Sequence, residues 1–387
     1  MSWSRNFFKQ MKIGIDARFY NEAGPGRYVK NLISELEKID SDNTYFIFLK
    51  KSNYDSYIPI NPKFKKISAP YQWYSLSEQL LFPFKILLSG VDLMHFTQFN
   101  IPVFWPGPFI VTIHDMIMHE YSTERDTTRF PFIYCLKKTI YLIVFRLACS
   151  RARHILVPSL ATRDDLVNKL KIHKEKITVT YEGVGVEPVQ AEDEPGILEK
   201  YGVRSPYLLY VGSMYPHKNL ERLISAFQLL LGKFHYPGKL VIIGKESDFS
   251  RRLRSLVVGL GLEKDVIFPG AQSSDGYLSD REVAAFYRQA QLYVFPSLKE
   301  GFGLPTLEAM RFGIPVAASR VSCIPEICAQ AAVYFDPGSP EDMAEKINGL
   351  LTDEDLRKRL ITAGYSRAAE FSWKTMAEMT LSAYLRL

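Results

Sequence analysis

The chemistry in this chain concentrates in FPSLKEGFGLPTLEAMRFGIP, residues 295–315, where Glu300 and Glu308 bracket a glycine-rich turn. Gly301 and Gly303 let the backbone approach a ligand with no Cβ in the way. Pro305 suits a first helical turn, where its missing N–H costs nothing. The free N–H groups at such a helix start favour a phosphate. A second basic and glycine-bearing stretch, YVGSMYPHKN, opens at Gly212 and ends in Lys218-Asn219 before a helical pattern. A lysine there can reach a phosphate as a point charge. VTIHD ends in His114-Asp115, a pair able to make polar or acid–base contacts, or equally an interior His beside a capping Asp. NEAGPGR places Gly24-Pro25-Gly26 between a strand pattern and a helix pattern, without completing a dinucleotide fingerprint.

These residues need a scaffold that gathers strand ends. Short apolar runs at Ile13 to Ala17, Thr44 to Leu49, Leu93 to Phe96, Phe109 to Ile113 and Ile155 to Pro158 read as buried strands separated by helical segments. A second alternating series follows at Tyr207 to Val211, Lys239 to Ile243, Val266 to Phe268, Leu292 to Phe295 and Val316 to Ala318. Alternation of this kind predicts parallel sheets with crossovers, and ligands bind at the carboxyl ends of such strands. The patterning relaxes over residues 183–203, which reads as a linker. The expectation is an α/β protein of two doubly wound domains facing a cleft. Residues 1–185 form the first domain, 186–370 the second, and 371–387 a helix that returns to the first and buries Met376, Met379, Leu381 and Tyr384.

At 387 residues two cores are the better prior, and 47% hydrophobic with 23% charged residues excludes a disordered chain. A net charge of +6 suits an anionic ligand or membrane surface without requiring either. The four cysteines, Cys135, Cys149, Cys323 and Cys328, show no metal-ligand spacing and read as free buried thiols in a reducing compartment. No signal peptide and no apolar run long enough to span a membrane is evident, so a cytoplasmic location is expected. Residues 130–154 carry an apolar helical repeat interleaved with Lys137, Lys138 and Arg146 and flanked by Arg125, Arg129, Arg151 and Arg153. That helix could lie on an anionic membrane surface, or be buried with a basic solvent face. QLLFPFKILL, residues 79–88, adds weight to the membrane reading.

EGFGLPTLE, with its Glu-x7-Glu spacing, resembles the signature of the retaining GT-B glycosyltransferases of family 4. IGIDARFYNEAGPGRY, VTIHD, ILVPS, YVGSMYPHKNLERLISAF, LVIIGK, YRQAQLYVFPSLKEGFGLPTLEAM and FSW follow in the family's order, from about Lys12 to Tyr384. The resemblance implies two Rossmann-like domains and a nucleotide-sugar donor held mainly by the second. By position Glu308 resembles the acid that takes the ribose diol, and Glu300 the acid beside the donor sugar's hydroxyls. The backbone at Phe302, Gly303 and Leu304 would contact sugar and phosphate, and Lys218 would neutralise the diphosphate. Gly24 and Gly26 would approach the diphosphate from the first domain, and His114 would contact the transferred sugar. Members often carry an arginine where this chain has Ser213, next to Gly212; Lys245 and Arg27 are the candidate replacements.

The implied reaction moves a hexose with retention to a glycan or lipid-linked glycan acceptor. No metal or other cofactor and no nucleic acid is expected. Mannose from GDP-mannose leads, from the likeness of GPGRY, IHD and PHKN to bacterial mannosyltransferases, with UDP-glucose, UDP-galactose and UDP-N-acetylglucosamine open. A sugar-nucleotide epimerase, a phosphorylase or a non-catalytic partner subunit could use the same fold.

Overall fold

The structure is a computed structural model that describes residues 10–22, 24–121, 131–185, 196–273 and 276–387; for residues 131–134 it describes the backbone alone. The chain divides into two compact units. The first is built from residues up to Gly183 together with Ser372–Leu387, and the second from Val184–Phe371, with which Glu120 and Tyr121 also group. Residues 186–195 of the expected linker, and Arg125 and Arg129, lie outside the described residues.

The first unit holds a seven-stranded sheet. Its strands are β1 (Lys12–Asp16), β2 (Thr44–Leu49), β3 (Phe64–Ser68), β4 (Leu93–Phe96), β5 (Phe109–Thr112), β6 (His154–Val157) and β7 (Ile177–Val179). They pair in parallel in the order β3-β2-β1-β4-β5-β6-β7. The order reverses between β1 and β4, and the crevice at such a switch point is where doubly wound sheets bind ligands. Helix Pro25–Ile39 follows β1 and buries Tyr28, Val29, Leu32, Ile33 and Leu36.

The second unit repeats the plan with β8 (Tyr207–Val211), β9 (Lys239–Ile243), β10 (Val266–Ile267), β11 (Leu292–Phe295), β12 (Val316–Ser319) and β13 (Ala332–Phe335). The order is β10-β9-β8-β11-β12-β13, again all parallel. Its switch point lies between β8 and β11, the two strands whose carboxyl ends lead into the Lys218 and Glu300 loops.

β3, β7 and β13 went unread in the sequence because each departs from the buried-strand pattern. β3 is FKKIS on one edge, where two lysines blunt an exposed ladder. β7 is three residues long, and β13, AVYF, is buried only at its ends.

The C-terminal helix Trp373–Leu385 belongs to the first unit and packs on helix Pro25–Ile39. Met376 and Tyr384 are buried as expected, whereas Met379 and Leu381 are only half-buried. The inward stripe runs instead through Ala377, Thr380 and Ala383, small residues that allow close packing, with Thr380 Oγ1 satisfied by Met376 O at 2.9 Å. Of the four cysteines, Cys149, Cys323 and Cys328 are buried thiols, but Cys135 is exposed, because it faces outward on helix Pro131–Arg151.

A fully buried ion cluster ties β1 to helix Leu76–Leu88. Arg18 Nη2 sits 2.7 Å from Asp16 Oδ2, and its Nη1 sits 2.6 Å from Glu78 Oε1. Asn100 Nδ2 and the backbone N–H of Tyr74 donate to Glu78 at 2.7 Å each, so the buried carboxylate is well supplied with donors.

Candidate active site

In the second unit, β11 delivers Pro296, Ser297 and Leu298 into a loop that ends at Gly303, the N-cap of helix Leu304–Arg311. Pro305 lies in its first turn and no side-chain oxygen caps it. Gly303 has φ +94°, and a Cβ there would stand 2.8 Å from Ile324 Cδ1. Glycine is thus required on backbone grounds, and a Cβ would in addition have to push the Ile324 methyl aside. Ser322 Oγ donates to Glu300 O at 2.7 Å and Cys323 Sγ to the same oxygen at 3.4 Å, which fixes the loop from outside.

Lys218 Nζ lies 2.6 Å from Glu300 Oε1. Lys218 closes the short 3-10 turn Pro216–Lys218 after β8, so the pair spans the switch point of the second sheet. Asn219 holds both sides: its Nδ2 donates to Pro296 O at 3.0 Å and Pro337 O at 2.8 Å, and Leu298 N donates to His217 O at 2.8 Å. Burial pushes the His217 imidazole down to about 4, with the Lys218 charge acting in the same direction, so His217 is neutral beside the pair. Two buried polar atoms in this neighbourhood, His217 Nδ1 and Ser297 Oγ, make no hydrogen bond among the described residues.

Glu308 sits one turn into helix Leu304–Arg311 and is buried, with Tyr287 OH 3.4 Å from its Oε2. Phe302 is buried, edge-on to Phe371 at 5.6 Å between centroids. Gly212 follows β8 and its N–H donates to Ile243 O at 2.9 Å, while Ser213 is exposed, its carbonyl taken by Tyr210 OH at 2.7 Å. Lys245 is exposed just beyond β9, the strand beside β8.

The first unit gathers the other expected residues on its own. Gly24 caps helix Pro25–Ile39 with φ +73°. At Gly26 a Cβ would meet Phe19 O and Tyr20 O at 2.7 Å each, so the close turn after β1 admits no side chain there. Tyr28 on that helix stacks edge-on against His114, 4.8 Å between ring centroids. His114 Nε2 is 3.1 Å from Thr97 O, which can only accept, so that nitrogen carries a proton. Nδ1 faces Glu182 Oε1 at 3.4 Å. Behind them Thr112 Oγ1 meets Tyr28 OH at 3.0 Å and His95 Nε2 at 2.8 Å, and His95 Nδ1 meets Tyr384 OH at 2.7 Å. Burial pushes His95 down to about 3, so it serves this chain of hydroxyls in its neutral form.

The expected residues therefore fall into two sets, one on each sheet's carboxyl edge. Glu182, Thr97 and Ser322 escaped the sequence reading, and Cys323 was read only as a free buried thiol. Glu182 lies 68 positions from His114 with no motif around it, and only the pairing of β6 with β7 carries it to the same edge. Asn219 was visible as part of PHKN, but its two distant carbonyl partners were not. Among the described residues no group of three or more metal-ligating side chains is present.

Two family models match the chain: "Glycosyltransferase Family 4" over residues 23–187 and "Glycosyl transferases group 1" over residues 197–367. The serotype-specific mannosyltransferase WbdA of Escherichia coli is 30% identical over 244 residues, 61% of this chain and 29% of that protein. The O-antigen chain mannosyltransferase B of Escherichia coli is 29% identical over 245 residues, 60% of each chain. This chain thus spans less than two thirds of either relative's length. Among solved structures, sucrose-phosphate synthase from Thermosynechococcus elongatus matches with a TM-score of 0.75 at 20% identity, covering 97% of this chain and 99% of that one. That likeness establishes the GT-B fold.

Proposed function

This chain belongs to the family 4 glycosyltransferases, and we propose that it moves a hexose from a nucleoside-diphosphate sugar to a hydroxyl acceptor with retention at the anomeric carbon. The Lys218–Glu300 contact carries this reading, because it sets a cation and a hydroxyl-accepting carboxylate side by side at an uncapped helix start. In the reaction Lys218 and the backbone N–H groups at Gly303 and Leu304 offset charge developing on the departing diphosphate. Glu300 orients the sugar hydroxyls, and Glu308 accepts from the ribose diol. Lys245 supplies the second positive charge that Ser213 does not.

Within the first unit we assign the glycine turn at Gly24 and Gly26 to an anion and His114 to a sugar hydroxyl. Glu182 and the Thr97 carbonyl hold the His114 ring in one orientation, so this carboxylate is a positioning residue. No residue in either set stands out as a dedicated nucleophile. Retention therefore follows a front-face route, in which the leaving phosphate takes the acceptor's proton as the new glycosidic bond forms.

Mannose from GDP-mannose is the leading donor, supported by the names of the relatives above, and the acceptor is a glycan or lipid-linked glycan of polysaccharide synthesis met at the cytoplasmic face of a membrane. A thermal-shift screen of GDP, UDP and ADP tests the nucleotide, since a ligand that binds only the folded state raises the melting temperature by mass action. GDP should give the largest shift. Mass spectrometry of the products then separates transfer, which needs an acceptor, from epimerisation, which does not. A product formed without acceptor overturns the proposal.

A further inference from the structure

Helix Leu76–Leu88 is apolar on both faces. Its inward face buries Phe82, Pro83 and Ile86 against the core of the first unit. Its outward face carries Leu76, Leu80, Phe84 and Leu88 at four-residue intervals, and Leu76 is 80%, Phe84 61% and Leu88 70% exposed. The core of the unit does not explain that outer row. Helix Pro131–Arg151 behaves alike: Tyr141, Val144, Phe145 and Ala148 face in, while Leu136, Ile140 and Ile143 face out, interleaved with Lys137 and Arg146.

Both helices brace the same loop. Val103 N donates to Gln79 Oε1 at 2.7 Å, and Arg151 donates to the carbonyls of Val103 and Trp105. Between these attachments Phe104 points outward, 65% exposed. The charges exposed on the two helices are all basic: Lys137, Arg146 and Arg151. Their one acid, Glu78, is buried on Arg18.

We propose that this face of the first unit is a docking surface for an anionic lipid bilayer. The apolar rows and Phe104 enter the boundary between headgroups and acyl chains, and Lys137 and Arg146 pair with the lipid phosphates. A second copy of the chain is a poorer occupant, because an isologous contact would set these cations against their own copies. The inference gives a surface to the membrane that the proposed function names for the acceptor, while the docking itself does not depend on the transfer reaction.

The test is co-sedimentation of the full chain, without nucleotide sugar, with vesicles of phosphatidylcholine alone or of phosphatidylcholine with phosphatidylglycerol. The protein should pellet with the anionic vesicles and stay in the supernatant with the neutral ones. Phe84→Asp with Leu88→Asp should abolish pelleting, and Lys137→Glu with Arg146→Glu should weaken it about tenfold or more, with melting unchanged because all four side chains are exposed or half-buried. Wild-type protein that stays in the supernatant with anionic vesicles overturns the proposal, as does unchanged pelleting of the Phe84/Leu88 variant. A dimer in velocity sedimentation that this variant breaks, without vesicle binding, assigns the face to a second copy instead. Glu300→Ala should pellet like wild type, which keeps failure of this proposal distinct from failure of the transfer reading.

Discussion

Lys218 and Glu300 are 82 positions apart in the chain and 2.6 Å apart in the fold. Each side chain is largely buried, at 15% and 9% exposure, so each stands ready to lose water to a ligand while already paired. Removing one partner leaves the other charge unbalanced. Lys218→Ala and Glu300→Ala should each cut transfer about 100-fold or more, and each should cost about 1–3 kcal/mol of stability. The double variant should lose less stability than the sum of the two, which a double-mutant cycle on denaturant midpoints reads directly. Near wild-type turnover in either folded single variant would show that the pair is not part of the reaction.

The loop that presents Glu300 depends on Gly303. Alanine there must adopt φ near +94° and displace Ile324, so Gly303→Ala should destabilise by about 1–3 kcal/mol and raise the Michaelis constant for donor. Calorimetry and initial rates check both effects. An unchanged melting temperature would mean that the helix start relaxes freely.

In the first unit the corresponding relationship is His114 with Glu182. Glu182→Gln keeps the shape and removes the charge that orients the ring, so kcat should fall about 10–100-fold. The nucleotide-induced thermal shift should not change, because Glu182 acts through His114 and touches none of the residues assigned to the nucleotide. A split of that kind, in kcat and not in nucleotide affinity, distinguishes positioning of His114 from general loss of structure.

His95 gives a pH signature. Its folded-state value is depressed to about 3 by burial, against 6.5 for an ordinary histidine, so the unfolded chain binds the proton more readily. The stability contribution is fully present above about 6.5 and declines as pH falls from there towards 3, by about 2–3 kcal/mol at pH 4.5. Melting temperatures between pH 7.5 and 4.5 should trace this slope together with that of His217, also depressed, to about 4, and His95→Gln should remove the His95 share and leave that of His217. A variant with the full acid slope would place the proton uptake elsewhere.

The buried cluster at Arg18 gives the largest expected stability effect. Arg18→Ala leaves Asp16 and Glu78 together without their cation and should cost about 3–5 kcal/mol. Denaturant unfolding monitored in the first unit checks it. A loss under 1 kcal/mol would show that water reaches both carboxylates.

The sequence by itself determined most of the frame. Strands buried on both faces must be continuous apolar runs, so β1, β2, β4 and β5 in the first unit and β8, β9, β11 and β12 in the second were legible within a residue or so of their ends. Gly26, Gly303, Pro305 and the two glutamates were legible too, since a tight turn and a helix start each admit few residue types. Edge strands escaped because one side of the ladder faces no core, which lets FKKIS pass for a loop. Only the tertiary structure decided who meets whom. Strand order, not sequence distance, carries Lys218 to Glu300 and Glu182 to His114, and no local periodicity encodes that order. The outward rows on helices Leu76–Leu88 and Pro131–Arg151 follow the same logic: apolar spacing marks a helix face for burial, but only the fold reveals whether the protein itself covers it.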